Sequence, residues 1–343
     1  QRAHIRVRMV TGDDVTTGAA IAKQLGIPGE ALLGTEFAAL SEQERLARID
    51  AIGVVGRVAP EHKVLLVETL RKKGHVVAMT GDGVNDAPAI KAADIGIAMG
   101  TGTEVAKNAG RMILSDDNFA TIVRAVEKGR AVYDNLNKFI RFVMLELAAY
   151  IFTFLGASIL NIAAGQPFSP SQILYINFFV NAPLGVALGM DKEAPGLMEI
   201  APRSRDATIM TRGLLMTAGL VGLFMAACTL ALISYGTSHY GNAEVGSSMG
   251  LTAFSLLIVA SAYQARSVTA TALTTETFDN SSLNWTALVE VVLAVLITQM
   301  DVLRRIFGTA QLSLAQWALA LLPAVALFFL WDLGKLVARR GRA

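Results

Sequence analysis

The run Thr80-Gly81-Asp82-Gly83-Val84-Asn85-Asp86-Ala87-Pro88 packs two glycines, two carboxylates and an amide into nine residues. Small residues let an anionic group approach the backbone. Asp82 offers the hard oxygen that magnesium prefers. Asn85 could donate to a phosphoryl oxygen beside Gly83, and Asp86 could fix the loop. Two distant runs offer complementary chemistry. Thr11-Gly12-Asp13 supplies a hydroxyl and backbone N–H groups for phosphate oxygens, and Lys63, in Pro60-Glu61-His62-Lys63, supplies a compact cation for the same phosphate. Phosphoryl transfer asks for positioning and charge neutralisation more than for covalent help from the protein, and these three runs together could provide both. Each also has a plainer reading. Thr11 or Asp13 could cap a following helix, Asn85 or Asp86 likewise, and Lys63 alone could be a solvated surface lysine.

The elements that would position these runs alternate between strand and helix. Ile5 to Val10 reads as a strand, Asp14 to Leu25 as a helix ending at Gly26, Ser41 to Ile52 as helical and Val54 to Val58 as a strand. Pro60 opens a helix to Lys73. Val76 to Met79 reads as a buried strand, Ala87 to Ala93 as a helix with Pro88 in its first turn, Ile95 to Met99 as a strand and Thr103 to Ala109 as a short helix. This alternation predicts a parallel, doubly wound α/β sheet. All three runs then fall at carboxyl ends of strands, where open α/β sheets bind ligands. That shared location favours the chemical reading over the plainer ones.

The remaining chain is of another kind. Hydrophobic residues make up 53% of the protein and charged ones 17%, too apolar for an ordinary soluble chain. The excess lies beyond residue 138. A helix starting at Phe119 carries Ile122, Val123, Val126, Val132, Leu136 and Ile140 on a helical pattern, and no break precedes the apolar run from Phe142 to Ile162. One helix is therefore expected to pass from a soluble domain, 1–138, into a transmembrane domain, 139–343. Six runs are long enough to span a bilayer: 140–163, 172–190, 213–235, 247–265, 284–301 and 313–333. Connection 191–212 holds Lys192, Arg203, Arg205 and Arg212, and the tail holds Lys335, Arg339, Arg340 and Arg342. The opposite connections near 164–171 and 236–246 hold no Lys or Arg. This bias places the soluble domain in the cytoplasm, with Arg304 and Arg305 as exceptions on the outer side. Net charge of +2 and the lack of a basic aromatic patch give no support for a nucleic-acid partner. Cys228, the one cysteine, reads as an inert apolar residue.

Polar side chains inside spans are costly and usually functional. Glu146 is the one carboxylate of the first span, with Tyr150 one turn further on the same face. Asn177 and Asn181 share a face of the second span, and Pro183 leaves the Phe179 carbonyl without its helical partner. Gln264 on the fourth span is a weaker candidate. Snorkelling or interhelical bonding would account for these groups without an ion.

Thr80 to Pro88, Met9 to Asp13, and Pro60 to Lys63 together resemble the P-type cation-transporting ATPases, and are most similar to their calcium-pump-like branch. The resemblance runs through essentially all 343 residues, most specifically Ile5 to about Ile140. It implies a partial haloacid-dehalogenase-like phosphorylation domain joined by a long helix to a six-helix transmembrane bundle. It further implies that Thr11, Gly12, Lys63, Asp82 and Asn85 surround a phosphorylated group, with magnesium and ATP as cofactors. The family's phosphorylated aspartate lies in Asp-Lys-Thr-Gly-Thr, a run that occurs nowhere in this sequence. The resemblance thus implies a missing amino-terminal half with the nucleotide domain, and an isolated chain that is inactive. It implies a multi-pass protein of a bacterial plasma membrane whose partners are the lipid bilayer and a transported cation. The transport residues depart from the pattern: Leu147 and Tyr150 stand where calcium-pump-like members carry an asparagine and a glutamate. Asn177 alone matches directly. Fewer acidic oxygens weaken tight calcium binding, so calcium or another small cation is expected. A membrane-tethered phosphatase or phosphotransferase would need a nucleophilic Asp at another strand end. A non-catalytic regulatory protein of the same fold would not need to keep the phosphate-site residues.

Overall fold

The computed structural model describes residues 1–340, with the side chains of Thr275 and residues 338–340 excepted; Arg342 of the tail lies outside the described residues. The chain forms two compact units, one of Gln1–Arg130 with Pro195–Ala207, the other of Ala131–Ala194 with the chain from Thr208 onward.

In the first unit β1 (Met9–Val10) leads to α1 (Val15–Gln24), β2 (Glu30–Leu33), α2 (Gly34–Ala39), α3 (Glu42–Arg48), β3 (Ile52–Gly56) and α4 (Pro60–Lys72). Next come β4 (Ala78–Gly81), α5 (Ala87–Ala92), β5 (Ile95–Met99), α6 (Glu104–Ala109) and β6 (Met112–Leu114). All pairings are parallel, as the alternation predicts, but they fall into two three-stranded sheets, β1-β3-β2 and β4-β5-β6. The expected single sheet is corrected, because among the described residues neither β1 nor β4 pairs along its other edge. Phe37, Ile49, Ile52, Val55, Leu66, Val67, Leu70, Val77, Ala89 and Ala93 form a core against which Val10 and Met79 also pack.

Local competition explains the shifted boundaries. Only Met9 and Val10 of the expected Ile5–Val10 strand meet β3, opposite Val54 and Val55; Arg8 instead reaches the Ile49 and Ile52 carbonyls at 2.9 and 3.0 Å. The helix expected from Ser41 to Ile52 stops at Arg48 and gives way to a 3-10 turn, Ile49–Ala51, and then β3. Buried, β-branched Ile52, Val54 and Val55 favour strand over continued helix. The strand expected at Val76–Met79 runs two residues later, since the Val77 N–H is taken by Asp94 Oδ2 at 3.0 Å. β2 and β6 were not foreseen: Glu30-Ala31-Leu32-Leu33 and Met112-Ile113-Leu114 are too short to carry a periodic signal. Segment 195–207 folds onto this unit, with Arg130 donating to the Leu197 and Ile200 carbonyls at 2.7 and 2.8 Å and Arg205 meeting Asp94 at 2.9 Å.

The long helix α7 is continuous over Phe119–Ile159, as the pattern predicts, and passes from the first unit into the second. The second unit continues with α8 (Pro170–Tyr175), a π-helical segment Ile176–Asn181, and α9 (Ala182–Gly189). Then follow α10 (Arg212–Tyr240), α11 (Ala243–Ala265), α12 (Ser281–Gln299), α13 (Asp301–Phe307) and α14 (Leu314–Arg340). Among the described residues, six helical segments are long and apolar enough to cross a membrane. α11 is the most enclosed, with 78% of its apolar window buried. It is set against α10 through Gly236, Gly246 and Gly250; a Cβ on Gly246 would come within 2.2 Å of Thr237 Oγ1.

Candidate functional site

β4 ends at Gly81, and the chain turns sharply through Asp82 and Gly83 into α5. Glycine is required at 81, where a Cβ would lie 2.4 Å from that of Asp86. Asp86 stands at the start of α5 yet makes no side-chain cap, so the expected capping role is corrected. Its Oδ2 turns back to accept from the N–H groups of Asp82 (3.3 Å) and Gly83 (3.1 Å), and its Oδ1 meets Lys63 Nζ at 2.6 Å. Both partners are largely enclosed, 14% and 12% exposed. Burial works to raise the Asp86 pKa, but the Lys63 ammonium and the two N–H groups outweigh it and hold the carboxyl below its ordinary range.

Lys63 is thus no solvated surface lysine. Pro60 begins α4 after β3, which places Lys63 in the first turn of that helix. Just after the neighbouring strand β1, Thr11 accepts from the Val58 N–H through its carbonyl (3.2 Å) and from the Asp13 N–H through Oγ1 (3.1 Å). The α1 cap is Asp14, whose carboxylate accepts from Thr16 N–H, so neither Thr11 nor Asp13 caps that helix. Gly12, Asp13, Asp82 and Asn85 are exposed. The Asp82 carbonyl is tied to Thr103 N–H at 2.8 Å. Loop 82–86 is therefore held through its backbone and Asp86, with the Asp82 carboxylate and Asn85 amide left to solvent. An exposed carboxylate beside a rigid turn suits a hard divalent cation.

In the second unit, Glu146 is 5% exposed; Ser261 Oγ donates to its Oε1 at 3.3 Å, while Oε2 has no partner among the described residues. Tyr150 lies within reach of the Glu146 charge and of Asn181, whose buried Oδ1 is also unpartnered. Asn181 Nδ2 meets Asn177 Oδ1 at 3.4 Å, so the two amides do share a face. Asn177 itself is exposed and turns back to the Ile173 carbonyl at 3.0 Å. The backbone here is π-helical, with Ala182 N–H bonded to the Asn177 carbonyl. Pro183 therefore denies a donor to the Phe178 carbonyl in the π register as well as to Phe179 in the α register, which broadens the expectation. π segments of this kind are frequent at functional sites. Gln264 does not join this group. Its amide donates to the Phe328 carbonyl (2.9 Å) and Asp332 (3.0 Å), and its oxygen accepts from Lys335 (2.6 Å), which saturates it.

Three buried carboxylates escaped the sequence reading: Asp332, already met as a partner of Gln264, and Asp191 and Glu290. Asp191 follows α9 and is met by Lys138 and Arg266, each at 2.9 Å, and by Asn280 at 2.9 Å. Glu290 sits in the middle of α12, 3% exposed, with its Oε2 unpartnered. The signal for Glu290 was present, since it is the one carboxylate of an apolar run, the criterion that selects Glu146.

Comparison with known proteins bears on both units. A family model described as cation transporting ATPase, C-terminus, matches residues 165–337. Models described as haloacid dehalogenase-like hydrolase match residues 1–94 and 64–126. Calcium-transporting ATPase 1 of Bacillus cereus is 35% identical over 95% of this chain and 38% of its own length. Calcium-transporting ATPase 1 of Lactococcus lactis is 41% identical over 78% of this chain and 30% of its own. Probable cation-transporting ATPase F of Mycobacterium tuberculosis is 36% identical over 95% of this chain and 37% of its own. The chain thus spans between 30% and 38% of the length of these relatives.

Proposed function

The chain belongs to the cation-transporting ATPase family, and from that membership we propose that it is the carboxyl-terminal part of an ATP-driven pump for calcium or another small cation. It is an integral membrane protein with a haloacid-dehalogenase-like unit. The reading places that unit in the cytoplasm, on the side of the Lys- and Arg-rich connections, and the membrane in a bacterial cell.

The observation that carries the proposal is the 2.6 Å contact between Lys63 and Asp86. It joins two motifs far apart in sequence at one strand-end crevice. Within it, Lys63 faces the phosphoryl group as a fixed positive charge, and Asp86 holds that lysine and the loop N–H groups in place. Asn85 and the Thr11 hydroxyl donate to phosphoryl oxygens, with Gly12 and Gly83 keeping the approach open, and Asp13 lies beside them. Asp82 is the residue that would hold magnesium, which when bound neutralises charge on the transferred group. The unpaired edges of β1 and β4 suit a further strand bearing the nucleophilic aspartate, supplied by the amino-terminal part of the pump together with the nucleotide domain. In the bundle, Glu146, Tyr150, Asn181 and Asn177, with the carbonyls beside Pro183, would hold the transported cation.

The test is aspartyl-phosphate formation from labelled ATP by the full-length protein carrying this sequence, with this chain alone as control. The full-length protein should be labelled in a cation-dependent way, and the chain alone should not. Labelling of the chain alone would overturn the assignment of the nucleophile. Glu146→Gln should weaken stimulation by the transported cation at least tenfold across a calcium, magnesium, manganese, sodium and proton series, about the effect of losing one charged ligand contact. Unchanged stimulation would remove Glu146 from the pathway.

A further inference from the structure

The helical unit holds a carboxylate that neither the phosphate crevice nor the Glu146 group uses. Glu290 is the middle residue of α12, about 13 Å from either end at 1.5 Å per residue, beyond the reach of its own side chain. It cannot snorkel to water. It is 3% exposed and its Oε2 has no hydrogen-bond partner among the described residues. Close enough to feel its charge is the Tyr175 hydroxyl at the end of α8, 1% exposed and likewise unpartnered, with Ser255 of α11 beside that hydroxyl. One turn earlier on α11, Thr252 Oγ1 is also buried without a partner.

Among the described residues, no opposite charge compensates Glu290. α12 packs against α9, α11 and α13 and the short turn Thr275–Phe278. α9 carries no ionisable side chain. On α11, Glu244 lies in the first turn and Tyr263 bonds to Asn284 at 2.9 Å. On α13, Arg304 is paired with Asp301, and Arg305 shares that short helix; Glu276 lies on the turn. Among the described residues none of these is joined to Glu290 by a hydrogen bond or ion pair, and its burial removes it from water. A carboxylate in that position must be neutralised. A metal ion would need several oxygen ligands, whereas one carboxyl with a phenol near it suffices for a proton. Once protonated, the carboxyl becomes a donor, and a phenol oxygen can accept.

We propose that Glu290, with Tyr175 near it, is a proton-binding site in the middle of the helical bundle, separate from the Glu146 group. The site requires only that α12 lie in lipid and does not rest on the pump reading. The test is infrared titration of the 343-residue chain in lipid nanodiscs, following the C=O stretch of protonated carboxyls from acid to mildly alkaline pH. A component persisting at neutral pH should be lost in Glu290→Gln and kept in Glu146→Gln, and Tyr175→Phe should shift its frequency. A neutral-pH signal of equal amplitude in Glu290→Gln and wild type overturns the proposal. So does loss of the Glu290 component on adding sodium, potassium or calcium at constant pH, which would mark a cation site. If circular dichroism shows that Glu290→Gln fails to fold, Tyr175→Phe decides, and an unshifted band overturns the assignment.

Discussion

Asp191 and Glu290 belong to the same helical unit and are almost equally withdrawn from solvent, 6% and 3% exposed, yet their surroundings are opposite. Asp191 accepts from two cations and an amide, and Arg266 goes on to Asp279 at 2.6 Å and to the Glu276 and Thr277 carbonyls. The cluster ties α7, the end of α9, the end of α11 and the start of α12 together. Glu290 has no such partner among the described residues. A saturated network has no capacity left for a ligand and fixes geometry, whereas an unsaturated acid gains by taking one up. Glu146, with one weak donor, lies between the two. In the first unit Asp86 is committed to Lys63 and to its own loop, which leaves the Asp82 and Asn85 side chains outward and Lys63 with further N–H donors. Structural and ligand-facing groups therefore occur side by side, told apart by their remaining hydrogen-bonding capacity rather than by residue type.

The largest effect should come from Asp191→Ala, which removes the buried acceptor that Lys138, Arg266 and Asn280 share. A loss of about 3–5 kcal/mol of stability is expected, read as a lowered unfolding midpoint in detergent. An effect below about 1 kcal/mol would place Asp191 with the uncommitted acids. Lys63→Met should cost about 1.5–3 kcal/mol by removing a charge-assisted bond to Asp86. The same pair gives a pH dependence of known sign. Because the folded Asp86 pKa lies below its ordinary value, its contribution is present at neutral pH and is lost as pH falls through the folded pKa. Acid titration of stability should thus be flatter on that limb in Lys63→Met than in wild type. Equal slopes would show that the pair does not couple. The smallest change belongs to Glu290→Gln. With no partner to lose, it should alter stability by less than about 1 kcal/mol, and a large loss would reveal a hidden counter-charge.

Much of this organisation was legible in order along the chain. The Thr80–Pro88 run, the strand–helix alternation, the continuous α7 and all six candidate spans follow from short-range spacing, and the structure has them. Short-range spacing works because helix and strand periodicity are local properties. It failed where the outcome depended on competition between distant groups. Arg8 and Asp94 took hydrogen-bonding groups from the expected strands. The widened π turn before Pro183 changed which carbonyls are left over, and Gln264 was absorbed by Asp332 and Lys335.

The sequence by itself determined the kinds of chemistry present: a carboxylate-rich turn, a lysine at a helix start and single acids within apolar helices. The tertiary structure decided which of those groups are already spoken for. Lys63 became a partner of Asp86, Asp191 an ionic knot, and Glu290 an acid with no opposite charge paired to it among the described residues. Whether a buried polar atom is satisfied depends on neighbours brought from other elements, and no window of sequence contains them.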